Sequence, residues 1–479
     1  MNTHQTAALN EGSATHRLED MDLAKLGEEF RGQLLRPGEL GYDESRQVWN
    51  AMVDKSPALI ARCTSVADVV AALRFARCRD LEISVRGGGH GVGGHAVTAG
   101  GVMIDLSLLK EIRVDPAGRR AWVQAGCLWS EVDRETYRFG LATTGGVVSH
   151  TGVAGLTLGG GEGWLARRDG LTCDNLVSAA VVTADGEEVV AAEDRNAGLF
   201  WGLRGGGGNF GIVTSFQLRL HPVPPLVLAA HFFYPLDAGL IALRALRDLA
   251  AEAPDEMTYR ASVFTAEPVP FLSDRWHGQP VLQLSAIYIG DPQEGLRLAA
   301  PLQRVVTPLA ELIKPMPYTQ LQSAGDESQR HGLRRYWKSS YMSEPTDAAF
   351  EAFLGRGCEP GASPVASGSL LLLRGAISRV GENDTAYGHR DAAFDFMATA
   401  DWNDPSQDEW QMAAARQYSE SMAPFSAHGV YVNNLGAEGE GRVRAAYGPL
   451  KYERLVALKD GLDPDNVFHL NQNIRPSAG

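Results

Sequence analysis

Cysteine pairs, surplus positive charge and long apolar runs are what this sequence lacks. Its five cysteines, Cys63, Cys78, Cys127, Cys173 and Cys358, are scattered, odd in number and never spaced C-x-x-C. That argues against a disulfide framework or a structural zinc site, and no metal is expected. Lys plus Arg total 44 against 58 Asp plus Glu, a net charge of −14. Nucleic-acid binding needs clustered cations, so no such partner is expected. No apolar run approaches the ~20 residues that span a bilayer, so no membrane partner is expected either. Met1 to Glu19 is polar and lacks the apolar segment of a signal peptide. The expected location is therefore the cytoplasm.

The chain has 479 residues, 44% of them hydrophobic and 21% charged, ordinary for a globular protein of two or three domains. Glycine, at 53 residues, is the outlier, and it is clustered. Ser65 with Asp68 reads as a capping box before Val66, Val69, Val70 and Leu73 at helical spacing. A strand over Glu82–Val85 runs into Arg86-Gly87-Gly88-Gly89-His90, and Val102–Leu106 and Trp122–Ala125 are further strands. A helix over Trp129–Phe139 stops at Gly140. Thr143–Gly163 is glycine-rich; Leu176–Ala184 and Glu187–Ala192 read as a hairpin turned by Asp185-Gly186. A third glycine loop, Leu203–Gly211, leads into a half-buried strand over Ile212–Leu220. His221-Pro-Val-Pro-Pro225 is the clearest boundary. Beyond it glycine thins out, strands are expected over Leu282–Ile289 and Ser369–Ile377, and a late helix over Tyr452–Lys459.

Glycine loops that follow strands expose backbone N–H groups to phosphates. Two windows, Gly89–Gly94 and Gly206–Gly211, satisfy G-x-G-x-x-G. A dinucleotide fingerprint of that kind must open a helix. Here both windows continue into strands, so a Rossmann fold and a nicotinamide cofactor are rejected.

The ordered set Arg86-Gly-Gly-Gly-His90, Ile104-Asp-Leu-Ser107, Leu158-Gly-Gly-Gly161, Gly163-Trp164, Gly170-Leu171, Asp174-Asn175, Leu199 to Thr214, Tyr431-Val-Asn433, Asp463 to Phe468 and Asn471 to Ile474 resembles one family. It is the berberine-bridge-enzyme-like branch of the vanillyl-alcohol-oxidase flavoproteins, whose FAD domain is of the PCMH type. The resemblance runs from about residue 45 to the end of the chain. It implies an α+β fold: a lead-in (1–45), an FAD-binding domain (46–222), an inserted substrate domain whose antiparallel sheet roofs the flavin (223–428), and a C-terminal segment (429–479) returning to the FAD domain.

It also implies covalent FAD, with His90 bonded to the flavin 8α-methyl carbon, in a site formed by Arg86, Gly87, Gly88, Gly89, His90, Gly91, Gly146, Val147, His150, Thr151, Gly152, Gly155, Leu156, Gly160, Gly161, Gly211, Ile212, Val213 and Asn471. Many relatives add a cysteine link; Val148 holds that position, so a single link is expected. Cys127 and Cys173 are expected to be structural, and His95 a loop residue. Tyr431 and Asn433, two apart on an expected strand, share a face that in the family looks into the active site. Tyr431 could take a substrate proton if its pKa is lowered near the flavin; it equally suits a packing role. Lys338 resembles a lysine placed over the flavin in some relatives, and a surface role is nearly as good an account. The acid that some relatives carry before a Gly-Gly pair is absent from Leu370-Leu-Leu-Leu-Arg-Gly375, which leaves the base unassigned.

The implied function is oxidation of a small alcohol, sugar, amine or secondary metabolite by hydride transfer to flavin N5. Thr151, three residues past Val148, leaves room for O2 as the acceptor. A same-fold dehydrogenase using another acceptor and a flavin-binding protein without turnover stay open. The expected state is a monomer or homodimer.

Overall fold

The computed structural model describes residues 20–357, 366–427 and 429–478. Met1 to Glu19 and Cys358 lie outside them. Within the stretch to about residue 45, where the sequence suggests a lead-in and then a short helix, a helix spans Asp20–Glu29 and strand β1 (Gln33–Leu35) pairs with β2 (Leu59–Arg62), while Leu35 and Tyr42 are buried. With β3 (Ile83–Arg86) and β4 (Val102–Asp105) they form a sheet in the order β1-β2-β4-β3. The helix over Val66–Arg77 covers it, started by the expected box: Ser65 Oγ accepts from Asp68 N–H and the Asp68 carboxylate answers the Ser65 N–H.

A second sheet holds β5 (Ile112–Asp115) and β6 (Arg120–Gln124). A short β7 (Leu141–Ala142) follows the helix over Trp129–Tyr137. Then come β8 (Leu176–Val182), β9 (Glu188–Ala192) and β10 (Ile212–Arg219), giving the order β5-β6-β10-β8-β9. The β8–β9 turn is longer than the sequence suggests. Thr183 N–H donates to Glu187 O, so three residues, Ala184-Asp185-Gly186, close it with Gly186 at φ 82°. The proline boundary forms β11 (His221–Pro222), which pairs with β7.

The following segment builds one antiparallel sheet from β12 (Val227–Pro235), β13 (Met257–Thr265), β14 (Pro280–Tyr288), β15 (Ala310–Met316), β16 (Arg334–Met342), β17 (Ser367–Leu372) and β18 (Phe394–Trp402). The order is β15-β12-β14-β13-β17-β18-β16. Strand β17 ends earlier than Ile377, because Arg374 and Gly375 both take positive φ (61° and 62°) before a short helix at Ala376–Arg379. Helices pack on one face of this sheet through a core that includes Leu243, Leu246, Phe350, Phe353, Phe396 and Tyr418. The other face looks toward the glycine loops.

The C-terminal segment packs into the core of the first two sheets: Val430, Leu435, Tyr452, Leu455, Phe468 and Ile474 share one cluster with Leu59, Ile104 and Phe216. It is pinned by a fully buried ion pair. Lys459 Nζ lies 2.7 Å from Asp463 and donates to Asn209 O (2.8 Å) and Phe468 O (3.0 Å). The Asp463 carboxylate accepts the Val467 and Phe468 N–H groups. The tail is thereby fastened to the third glycine loop. Among the described residues no helix is long and apolar enough to cross a membrane.

Candidate active site

A cavity of about 1380 Å³ lies between the glycine loops and the free face of the seven-stranded sheet. Its lining contains Gly87, Gly88, Gly89, His90, Gly91, Gly146, Val147, Thr151, Gly152, Gly155, Leu156, Gly211, Ile212, Val213 and Asn471. Two of these glycines are demanded by close approach. A Cβ on Gly88 would fall 2.4 Å from Gly152 Cα, and one on Gly152 would fall 2.4 Å from Gly88 N. A Cβ on Gly91, Gly155 or Gly208 would meet nothing within 4 Å, so these positions leave space for a ligand against the backbone.

Four expected floor residues lie behind it instead. Arg86 turns away, its guanidinium donating to Ser45 O. Gly160 and Gly161 are glycines for packing: a Cβ would lie 2.6 Å from the Tyr387 ring or 2.1 Å from Thr172 Oγ1. His150 backs onto His90 with ring centroids 5.0 Å apart.

His90 is stacked on Trp49 at 4.2 Å, and Trp49 is held on its other side by Arg335, 3.9 Å from the ring. Burial, aided by His150, His331 and Arg335, pushes His90 down to about 3. Its imidazole is therefore neutral at physiological pH, and Nε2 is buried with no partner among the described residues. A neutral imidazole keeps one nitrogen lone pair free. Val148 lines the cavity and no described cysteine does. Cys127 is buried and pushed up to about 12, and Cys173 is pushed up too, both by burial. His95 also faces the cavity.

Tyr431 and Asn433 converge, though not on a strand. Tyr431 precedes a single 3₁₀ turn over Val432–Asn434, and Asn433 Nδ2 donates to Tyr431 Oη at 2.8 Å. Tyr431 Oη also accepts the N–H groups of Gly161 (2.8 Å) and Glu162 (3.3 Å). Its pKa is raised, not lowered, by burial and the nearby Glu162. Lys338 is not over the cavity. It pairs in register with Ala398, which belongs to the helix-facing core, and its Nζ lies 2.8 Å from Glu438. Its neighbour Trp337 lines the cavity instead, because alternate residues on a strand face opposite ways.

Of the carboxyls that line the cavity, Glu162 and Asp395 are the buried ones. Glu162 Oε1 accepts from Tyr387 Oη (3.0 Å) and Tyr341 Oη (3.2 Å), while Oε2 takes no hydrogen bond from a described residue. Burial pushes Glu162 up to about 7. Asp395 is held above the carboxylate range by burial and Glu162, and accepts from Asn434 Nδ2 (3.0 Å) and Ser339 Oγ (3.4 Å). Glu162, inside a run of glycines, was visible in the sequence as a charge where every neighbour is small. Asp395, between Phe394 and Phe396, carried only a weak signal, and Trp49 none. Among the described residues no His, Cys, Asp and Glu cluster is placed to hold a metal.

A glycine-lined cradle beneath an antiparallel sheet defines a PCMH-type FAD-binding flavoprotein. Residues 57–192 match the family described as FAD binding domain, and residues 430–475 the one described as berberine and berberine-like. The chain is 30% identical to the (R)-6-hydroxynicotine oxidase of Paenarthrobacter nicotinovorans over 459 residues, 94% of this chain and 98% of that one. The crystal structure of 6-hydroxy-D-nicotine oxidase from Arthrobacter nicotinovorans superposes with a TM-score of 0.83 at 28% identity, covering 94% and 98% of the two chains. Glucooligosaccharide oxidase from Acremonium strictum shares the fold, with a TM-score of 0.83 at 23% identity over 95% and 99%. The chain belongs to the berberine-bridge-enzyme-like FAD-linked oxidoreductases of the vanillyl-alcohol-oxidase superfamily, and is an enzyme of that family.

Proposed function

We propose that this enzyme oxidises a small alcohol, sugar, amine or secondary metabolite with FAD bonded through His90, Glu162 taking the substrate proton. The observation that carries this reading is His90 itself, a neutral imidazole on the floor of a glycine-lined cavity, with a buried nitrogen that has no partner among the described residues. His90 and the glycine loops would hold FAD there, which would supply the hydride acceptor and a route for electrons to O2. Trp49 fixes the His90 ring by stacking, so the nucleophile is presented in one orientation. Gly88 and Gly152 let two loops cross at backbone contact, which leaves the floor flat. Glu162 Oε2 is the free atom that accepts the proton of the substrate hydroxyl or amine, and a pKa near 7 suits a base at physiological pH. Tyr341 and Tyr387 hold its other oxygen and stabilise the carboxylate before transfer. Thr151, half-buried on the cavity floor, leaves room for O2. The histidine link is supported by the Acremonium strictum oxidase, which carries a 6-S-cysteinyl, 8α-N1-histidyl FAD. With Val148 at the cysteine position, one link is proposed for this chain. Acid precipitation tests it. Wild-type protein should give a yellow pellet whose flavin travels with the His90 peptide alone, and His90→Ala should release its FAD. Free FAD from the wild type, or flavin bonded to Cys127 or Cys173, would contradict it.

A further inference from the structure

A cation with no partner among the described residues sits in the wall of this cavity. Arg260, on β13, lines it, and no described residue gives its side chain a hydrogen bond or ion pair. Its Nε is shut off from solvent and unpaired. The residue as a whole is half-buried at the cavity wall, and an arginine held there without a protein acceptor can take one from a ligand. The sheet register shows what surrounds it. Arg260 stands opposite Ser285 on one side and Leu371 on the other, Ser285 stands opposite His231, and Leu371 opposite Asp395. These residues form one row across the roof. At ~4.8 Å between strands, Asp395 and Arg260 are about 10 Å apart along the row. Asp395 attracts Arg260 through space, yet burial holds that carboxyl above its usual range, so it is a weak countercharge. Of the other carboxylates along the cavity, Asp401 is already paired with Arg335 at 2.8 Å, and Glu267 and Glu327 are exposed. His231 stays neutral, pushed down to about 4 by burial and by Arg260. Its Nδ1 lies 2.9 Å from Ser285 Oγ and 3.1 Å from Gln283 Nε2. Around this polar strip stand the aromatic side chains Phe233, Phe264, Phe271 and Trp337, together with Ser262 and Ser369.

We propose that Arg260 receives a carboxylate, and that the enzyme's substrate is an otherwise apolar organic acid, anchored by that group while a carbon nearer Glu162 and Asp395 is oxidised. A guanidinium meets a carboxylate through two parallel N–H···O bonds, which gives both orientation and charge selectivity. The proposal deepens the oxidase reading by naming a substrate class, and its test needs no turnover.

The test is calorimetric titration of the purified yellow enzyme, at mildly alkaline pH, with 4-phenylbutyrate and its neutral amide, 4-phenylbutanamide. Wild type should bind the acid about tenfold or more tightly than the amide, the size expected of a charge-assisted pair. Arg260→Gln should remove the preference and Arg260→Lys should keep part of it. Equal affinities in wild type, no binding of the acid, or a preference that survives Arg260→Gln would each overturn the proposal. The last result would also follow if Arg260 served the flavin instead. Protein purified without flavin would count against the oxidase reading alone, since the comparison of acid with amide still reports on Arg260.

Discussion

Replacing Glu162 by glutamine removes the carboxyl within the glycine run and nearly preserves its shape. Because burial pushes Glu162 from 4.5 to about 7, the folded protein holds this proton more tightly than the unfolded chain does. At about 1.4 kcal/mol per pH unit, the displacement corresponds to about 3 kcal/mol. The sign follows from linkage. The contribution is fully present below pH ~4.5 and is lost as pH rises through about 7, where a charge must be kept inside the fold. Glutamine carries no such charge. Relative to wild type, Glu162→Gln should therefore gain about 3 kcal/mol of stability between about pH 5 and about pH 8. Activity should move the other way. Anaerobic flavin bleaching in a stopped-flow instrument should rise with pH up to about 7 in wild type and then level off. In the variant it should be slower by about 10²- to 10⁴-fold and lack that rise. Unfolding curves and bleaching rates measured over the same pH series check both halves. A wild-type bleaching rate that is flat over this range, or a variant that bleaches at the wild-type rate, would refute Glu162 as the base. A stability difference that does not grow with pH would refute its raised pKa.

Thr151→Leu should slow reoxidation of the reduced enzyme in air while anaerobic bleaching stays nearly unchanged, because Thr151 faces the cavity floor and its hydroxyl bonds to no described residue; reduced wild-type flavin that stays bleached in air would favour a dehydrogenase. Lys338→Met should leave the bleaching rate within about twofold, since the ammonium pairs with Glu438 away from the cavity, and a large loss would return Lys338 to the site. Lys459→Met strands the fully buried Asp463 and should cost about 3–5 kcal/mol in denaturant unfolding, with looser FAD retention because the third glycine loop loses its anchor at Asn209.

What the sequence by itself determined was local. The glycine loops, the capping box at Ser65, the strand at Ile212 and the proline boundary are legible because each depends on φ, ψ and side-chain period within a few residues. The same holds for most of the cavity floor: Gly88, His90, Gly152 and Gly211 lie in continuous motifs. The ordered motifs also carried the family resemblance, which brought the α+β architecture with it. Tertiary structure alone decided the roof and the backing. On strand β16 the distinction between Trp337, which faces the cavity, and Lys338, which does not, rests on a register of one residue. Trp49, His90 and Arg335 stack although hundreds of residues separate the first from the last, and no local pattern announces a stack of that kind. Tyr431 suits a base or a packing role by its place in a motif; in the fold it accepts the Gly161 and Glu162 N–H groups, and burial raises its pKa. Glu162 comes from the second glycine loop, Asp395 from β18 and Arg260 from β13, and only the packing of the sheet over the loops brings them to one cavity.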